Sequence, residues 1–279
     1  MTTVTLLHPG AMGSAVAAQA VAAGHQVLWV PEGRGEATHR RAKEVGATAC
    51  DSLAEALEQS EIVLSICPPQ AAEDVAATVA DLTFDGVYVD ANAISPQRAR
   101  RIAEEIRPGA TVLDGAIFGP PPGSWRTARL YLAGDVLAVE RVEPLFKDTA
   151  LQVRRTGREI GSASALKMAF ASYQKAARTL AGVAHALADA HGVGDQLTAE
   201  AEVMASNILS DPDYLPSVAA RAWRWAPEMG DIADTLRATG LPADMAEAAA
   251  AVMARWEDDK DRYDLDLADV LAHLRGRSD

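Results

Sequence analysis

The chain has 279 residues, 49% of them hydrophobic and 23% charged, which excludes the disordered and fibrous classes and leaves room for one large domain or two ordinary ones. A net charge of −13 repels phosphate backbones and anionic lipid surfaces, which argues against nucleic acid and membrane as partners. The apolar runs are too short to span a bilayer, MTTVTLLHPG lacks the basic segment of a signal peptide, and two cysteines, Cys50 and Cys67, suit a reducing compartment, so the expected location is cytoplasmic.

Short apolar runs read as strands at residues 4–8, 26–30, 61–67, 86–90, 110–118, 129–134 and 150–155. Helical patterns fill most of the gaps: Met12–Ala23, Gly35–Val45, Ser52–Gln59, Ala71–Leu82 and Pro96–Ile106. Strand alternating with helix at this spacing predicts a parallel sheet covered on both faces. The Ala-rich helices suit such a sheet, because small side chains let helix and sheet approach closely.

From Gly161 onward the strand signal stops. Leu166, Phe170, Tyr173, Ala177, Leu180, Ala184 and Leu187 recur at steps of three and four, which is one face of a helix. Unbroken from Ser162 to His191, that helix would span about 45 Å at 1.5 Å per residue, so it is expected to join two domains or pack against another subunit. Gly192 and Gly194 are expected to end it. AEVMASNIL, GDIADTLRATG, DMAEAAAAVMARW and DLADVLAHL read as further helices. The predicted organisation is an α/β domain over 1–158 and an all-α domain over 159–279, opened by the long interdomain helix.

The first strand runs straight into HPGAMG (8–13) and then a helix. A dinucleotide turn needs glycines for tightness, for backbone approach to a pyrophosphate and for helix–strand packing. Gly10 and Gly13 fill the second and third places, with Ala11 and Met12 between them, while His8 stands where the first glycine usually does. The following helix offers unpaired N–H groups and a positive dipole end to phosphate. Past the second strand, VPEGRGEATHRR carries Glu32, which suits the ribose hydroxyls of NAD, and Arg34, Arg40 and Arg41, which suit the extra phosphate of NADP. The expected cofactor is NADP, with NAD as the alternative; Arg40 and Arg41 also fit a solvated helix face.

Four motifs together resemble the β-hydroxyacid dehydrogenase superfamily, which includes 3-hydroxyisobutyrate dehydrogenase, 6-phosphogluconate dehydrogenase and the imine reductases. They are HPGAMGSAVAAQAVAAGHQV (8–27), DANAISP (90–96), DGAIFGPPP (114–122) and GSASALKMAFA (161–171). The resemblance covers nearly the whole chain. It implies a Rossmann-type doubly wound sheet followed by an all-α C-terminal domain, a homodimer, and Lys167 as catalytic acid/base. Asn92 and Ala93 replace that family's Ser-Thr pair, Phe118 its pocket Ser, Ala171 its catalytic-helix Asn, and Gly230 a Lys. Losing these polar groups argues against the usual small hydroxy acids, and Phe118 suggests a larger, more apolar substrate.

Moving a hydride to or from a carbonyl carbon changes the charge on its oxygen, so the reaction needs a positioned proton donor. Lys167 is the candidate for that role, with Asn92 at a strand end as a second polar group for substrate or nicotinamide. Cys67 and Pro68, in CPPQ (67–70), are expected to line the cofactor crevice, with Cys67 as packing rather than nucleophile. Ile117, Phe118, Gly119 and Ala171 are the expected substrate pocket. The histidines show no ligand spacing, so no metal is expected. Three functions fit: an NADP-dependent oxidoreductase acting on an alcohol or carbonyl, an imine reductase on the same fold, or a nucleotide-binding sensor that has lost catalysis.

Overall fold

The structure is a computed structural model and describes residues 1–106, 109–203, 215–238 and 240–275. By its contacts the chain divides into two compact units, Met1–Tyr173 and Gln174–Asp279.

The first unit is built on β1 (Thr3–Leu6), α1 (Ala11–Ala22), β2 (Gln26–Trp29), α2 (Glu36–Glu44), β3 (Thr48–Ala49), α3 (Leu53–Glu58), β4 (Ile62–Ser65), α4 (Ala72–Asp81), β5 (Val87–Asp90), α5 (Pro96–Ile106), β6 (Thr111–Phe118), β7 (Ala128–Gly134), α6 (Val136–Val142) and β8 (Leu151–Gly157). One eight-stranded sheet runs in the order β3-β2-β1-β4-β5-β6-β7-β8. The first six strands in that order are parallel, so the chain reverses its winding between β1 and β4 and opens a crevice at their C-terminal ends.

Two apolar layers cover the sheet, and the period-2 alternation of the strands sorts residues between them. Val4, Leu6, Ile62, Leu64, Val87, Val89 and Leu113 pack on one face with Val16, Ala17 and Ala20 of α1. Val63, Tyr88 and Val112 pack on the other with Ala76 and Val79 of α4 and Ile102 of α5. Because both faces are covered, β4 and β5 are buried at every position.

The structure differs from the sequence expectation in several places. β7 pairs antiparallel with β6, while β8 pairs parallel with β7. The nine residues between β6 and β7 carry no crossover helix, and a parallel return needs a dozen or more. The two-residue β3 and the helix α6 were not expected. α6 starts at Asp135, whose carboxylate accepts from the N–H of Ala138.

α7 (Ser162–Ala190) begins in the first unit, which includes its residues to Tyr173. Gly192 closes it with a left-handed φ of 67°, and the N–H of Val193 bonds back to the carbonyl of Ala188. Gly194 does not help to end α7 but opens α8 (Gly194–Glu202). Leu166 and Tyr173, expected on the buried face of α7, are 37% and 45% exposed. The side chains of Leu180 and Ala184, and AEVMASNIL from Met204 on, lie outside the described residues.

In the second unit, α9 (Leu215–Ala238), α10 (Asp244–Met253) and α11 (Leu267–Arg275) carry the packing. Trp256 anchors it, buried with Ala219, Ala222, Leu265 and Val270, and its indole N–H donates to the carbonyl of Val270 at 3.0 Å. Trp223 lies under the ammonium of Lys260 at 4.1 Å.

Candidate active site

The glycine turn joins β1 to α1 at the crevice. Gly10 caps α1 without any side-chain hydrogen bond, and no acidic residue stands in the first turn, so the positive end of the helix is left for an outside anion. Gly13 is required here: a Cβ on it would lie 2.3 Å from the carbonyl oxygen of His8. Two arginines brace the turn from the far side of β2. Arg34 donates to the carbonyl of Leu7 at 3.2 Å and to Nδ1 of His8 at 3.0 Å, while Arg41 donates to the carbonyl of Pro9 at 3.1 Å. Arg41 is therefore half-buried and engaged rather than part of a solvated face; Arg40 is exposed.

Glu32 and Arg34 together line a pocket of about 610 Å³ whose apolar walls are Leu6, Leu7, Val30, Leu53 and Val75. Among the described residues, the Nε of Arg34 is buried without a hydrogen-bond partner. A shallower depression beside it carries Arg34, His39, Arg40 and Lys43 against one acidic residue, Glu36.

A second cleft, of about 500 Å³, is lined by Met12, Ile66, Cys67, Pro69, Ala91, Asn92, Ala93, Ile117 and Lys167. It thus gathers predicted residues from α1, from the ends of β4, β5 and β6, and from α7. Pro69 is held by Arg98 of α5, which donates to its carbonyl at 2.7 Å and to Glu73 at 2.8 Å. The thiol of Cys67 is pushed up from its ordinary range by burial first, against a hydrogen bond to Ser65, so it stays protonated and serves as wall. Gly10, Ala11 and Gly13 belong to the turn, Pro68 and Gly119 are exposed, and Ala171 is half-buried outside the cleft lining.

Lys167 projects from the second turn of α7. Its Nζ donates to the carbonyl of Ile117 at 2.6 Å and lies 4.7 Å above the ring of Phe118. Phe118 is 5% exposed, with its ring against Tyr131 and Phe170 at centroid distances of 5.1 and 5.3 Å. It is therefore a buried support beneath Lys167 rather than a wall of the cleft.

Asn92 is spoken for within the protein. Its Oδ1 accepts the N–H of Cys67 at 2.7 Å, and its Nδ2 donates to Ser65 Oγ and Asp90 Oδ2, both at 3.0 Å. Both amide hydrogens are used, so Asn92 ties the ends of β4 and β5 together and leaves no donor for a ligand.

Sequence reasoning missed the carboxylates behind this site. Asp90 and Asp114 are 2% and 1% exposed, at the heads of the quoted motifs DANAISP and DGAIFGPPP. Burial pushes the Asp90 carboxyl up to about 6, against hydrogen bonds from Asn92. Asp114 receives the N–H groups of Gly161, Ala163 and Ser164 at 2.9–3.1 Å and the hydroxyl of Ser164 at 2.6 Å, which fixes where α7 begins. A lone acidic residue within an otherwise apolar strand was the signal available for both.

An uncapped helix behind a glycine turn, a pocket lined by Glu32 and Arg34, and a lysine facing the adjoining cleft define a dinucleotide-binding α/β protein. The residues present fit such a ligand: Gly13 where a Cβ would clash, and a helix start with no side-chain cap and no acidic residue in its first turn. Residues 3–157 match the family described as the NAD binding domain of 6-phosphogluconate dehydrogenase, and residues 188–256 match a domain of unknown function, DUF1932. The chain belongs to that NAD-binding family within the β-hydroxyacid dehydrogenase superfamily, whose members are NAD(P)-dependent oxidoreductases.

Over its whole length and theirs, the chain is 24% identical to proteins named "Probable 3-hydroxyisobutyrate dehydrogenase" from Mycobacterium bovis and Mycobacterium tuberculosis. Among solved structures, an imine reductase from Bacillus cereus matches with a TM-score of 0.77 at 18% identity, covering 99% of this chain and 100% of that one. An imine reductase variant from Myxococcus stipitatus in complex with NAD+ matches with a TM-score of 0.73 at 18% identity, covering 97% and 99%. Among the described residues no helix is long and apolar enough to cross a membrane.

Proposed function

We propose that the protein is a cytoplasmic, homodimeric, NADP-dependent oxidoreductase acting on an alcohol or carbonyl, with Lys167 as general acid/base. On this reading residues 1–158 hold the cofactor and the helical part from 159 brings the lysine. The observation that carries the reading is the placement of Lys167 Nζ at the cleft shared by Met12, Cys67 and Ile117, hydrogen-bonded to the Ile117 carbonyl. When bound, the nicotinamide dinucleotide supplies or accepts the hydride. The turn at Gly10, Ala11, Met12 and Gly13 takes the diphosphate, Glu32 and Arg34 take the adenosine end, and Cys67 and Pro68 flank the nicotinamide. Lys167 Nζ gives its proton to the substrate oxygen in reduction and takes it back in oxidation. Asn92 acts by positioning.

NADP is favoured by the cationic depression of Arg34, His39, Arg40 and Lys43. The exposed Leu166 and Tyr173 on α7 favour a second copy of the chain; sedimentation as a stable monomer at micromolar concentration would remove the dimer.

The test is Lys167→Ala, in a ketone screen with NADPH and an alcohol screen with NADP+. Hydride transfer should fall by about a thousandfold, while NADPH affinity, read by energy transfer from tryptophan to the nicotinamide, should stay within about twofold of the parent protein. Unchanged turnover would sink the assignment. One observation favours an imine as acceptor instead: among the described residues the cleft around Lys167 is walled mainly by Met12, Ile66, Pro69, Ala91, Ala93 and Ile117, with Cys67 and Asn92, and has no cationic group besides the lysine to hold a carboxylate. Reduction of a preformed cyclic imine that survives Lys167→Ala identifies that chemistry.

A further inference from the structure

His8 occupies the place of the first glycine of the turn, and its ring has a defined orientation. Arg34 Nη1 can only donate, so the nitrogen it meets at 3.0 Å, His8 Nδ1, must accept. In the neutral imidazole the proton then sits on Nε2. The Cδ2–Nε2 edge faces Gly10, the N-cap of α1: a Cβ built on Gly10 would lie 3.2 Å from Cδ2 and 3.5 Å from Nε2. Among the described residues Nε2 has no hydrogen-bond partner. The ring is half-buried, and burial, with Arg34 and Arg41 following, holds His8 below its ordinary pKa.

We propose that His8 is a dinucleotide-binding residue whose Nε2–H donates to the diphosphate at the glycine turn, with Arg34 fixing the tautomer that makes it a donor. The inference rests on the turn being the cofactor site. It gives a bulky residue a task at the first glycine's place, which usually serves the tightness of the turn: the imidazole lies against Gly10 and adds a side-chain donor there. Because the diphosphate is common to both dinucleotides, the contact is blind to the NAD or NADP choice. Arg34 thus acts behind His8, with two of its nitrogens bracing Leu7 and His8.

The experiment is a fluorescence titration of the full chain with NADPH, NADH and ADP-ribose, for the parent protein and for His8→Ala, His8→Gln and His8→Gly. His8→Ala should weaken all three by the same factor, about tenfold, the worth of one hydrogen bond to a charged oxygen. His8→Gln, whose amide places an N–H near the Nε2 position, should recover most of that loss. Long-range proton–nitrogen spectra of the imidazole should show the Nε2–H form in the parent and a mixed form in Arg34→Ala. A loss confined to NADPH would overturn the proposal, because His8 would then act only through Arg34 on the extra phosphate. Unchanged affinities in His8→Ala, or tighter binding in His8→Gly, would overturn it equally. If the parent protein binds none of the three probes, the cofactor reading and this inference fail together; a parent that binds with unaltered His8 variants removes the inference alone.

Discussion

Asp90 and Asp114 stand opposite one another in the register of β5 and β6, two buried carboxylates on adjacent strands, Asp90 at the end of β5 and Asp114 midway along β6. Each is satisfied from a different direction, Asp90 by Asn92 and Asp114 by the start of α7. Between them they fix both polar sides of the cleft: the Asn92 side, where β4 meets β5, and the Lys167 side.

Asp114→Ala should be the most damaging change at the site. It leaves three backbone N–H groups and the Ser164 hydroxyl buried without their acceptor, at a cost of about 3–5 kcal/mol. Asp114→Asn keeps one acceptor oxygen and should cost less. Thermal unfolding of the two variants gives the ranking; equal stability would mean that α7 starts without help from this carboxylate.

Asp90 makes a signed contribution to pH dependence. Its carboxyl titrates near 6 when folded against an ordinary 3.8, so the unfolded chain releases the proton first as pH rises. The folded state therefore loses stability between about pH 4 and 6, by about 3 kcal/mol in all, and the penalty stays constant above that window. The half-buried Glu73 and Glu143, held below their ordinary range by arginines, pull the other way. The quantity to measure is thus the difference between parent and Asp90→Asn in denaturation midpoint from pH 4 to 8. The parent should lose stability relative to the variant across the window, and a flat difference would refute the burial argument.

Phe118→Leu removes the ring beneath the Lys167 ammonium and its edge contacts with Tyr131 and Phe170. The expected cost is about 1–2 kcal/mol in stability. Turnover should fall about tenfold as Nζ loses its support. Steady-state kinetics separate this from a substrate contact: a change confined to KM, with kcat intact, would return Phe118 to the pocket wall.

Gly13→Ala should abolish useful cofactor binding while sparing the second unit. With 2.3 Å between the new Cβ and the His8 carbonyl, the turn must open. NADH and NADPH should then both weaken by about tenfold or more. Isothermal titration with both dinucleotides tests this, and parent-like affinity would show that the turn yields cheaply.

The alternation of strands and helices was legible because both faces of the sheet are covered, so each strand is a short apolar run such as VYVD or IVLS. The glycine turn and Lys167 were legible because their chemistry restricts which residues serve. Strand direction was not, since the apolar run of β7 reads the same either way; only the short link from Phe118 to Ala128 betrays it. Asn92 was visible as a polar group at a strand end, but its saturation depends on Ser65 and Asp90, which only folding brings beside it. The same holds for Arg41, whose partner Pro9 is far away in sequence.

The anchoring of α7 on Asp114 turns the start of that helix into a ruler. Lys167 is three residues beyond Ser164, the last group the carboxylate grips. Each residue of an α-helix advances about 1.5 Å and rotates about 100°. Exchanging side chains along this stretch leaves the phase of the lysine intact, whereas inserting or deleting one residue swings its amine away from the cleft. Descendants of this chain, natural or engineered, are free to vary the letters between Ser164 and Lys167 but not their number.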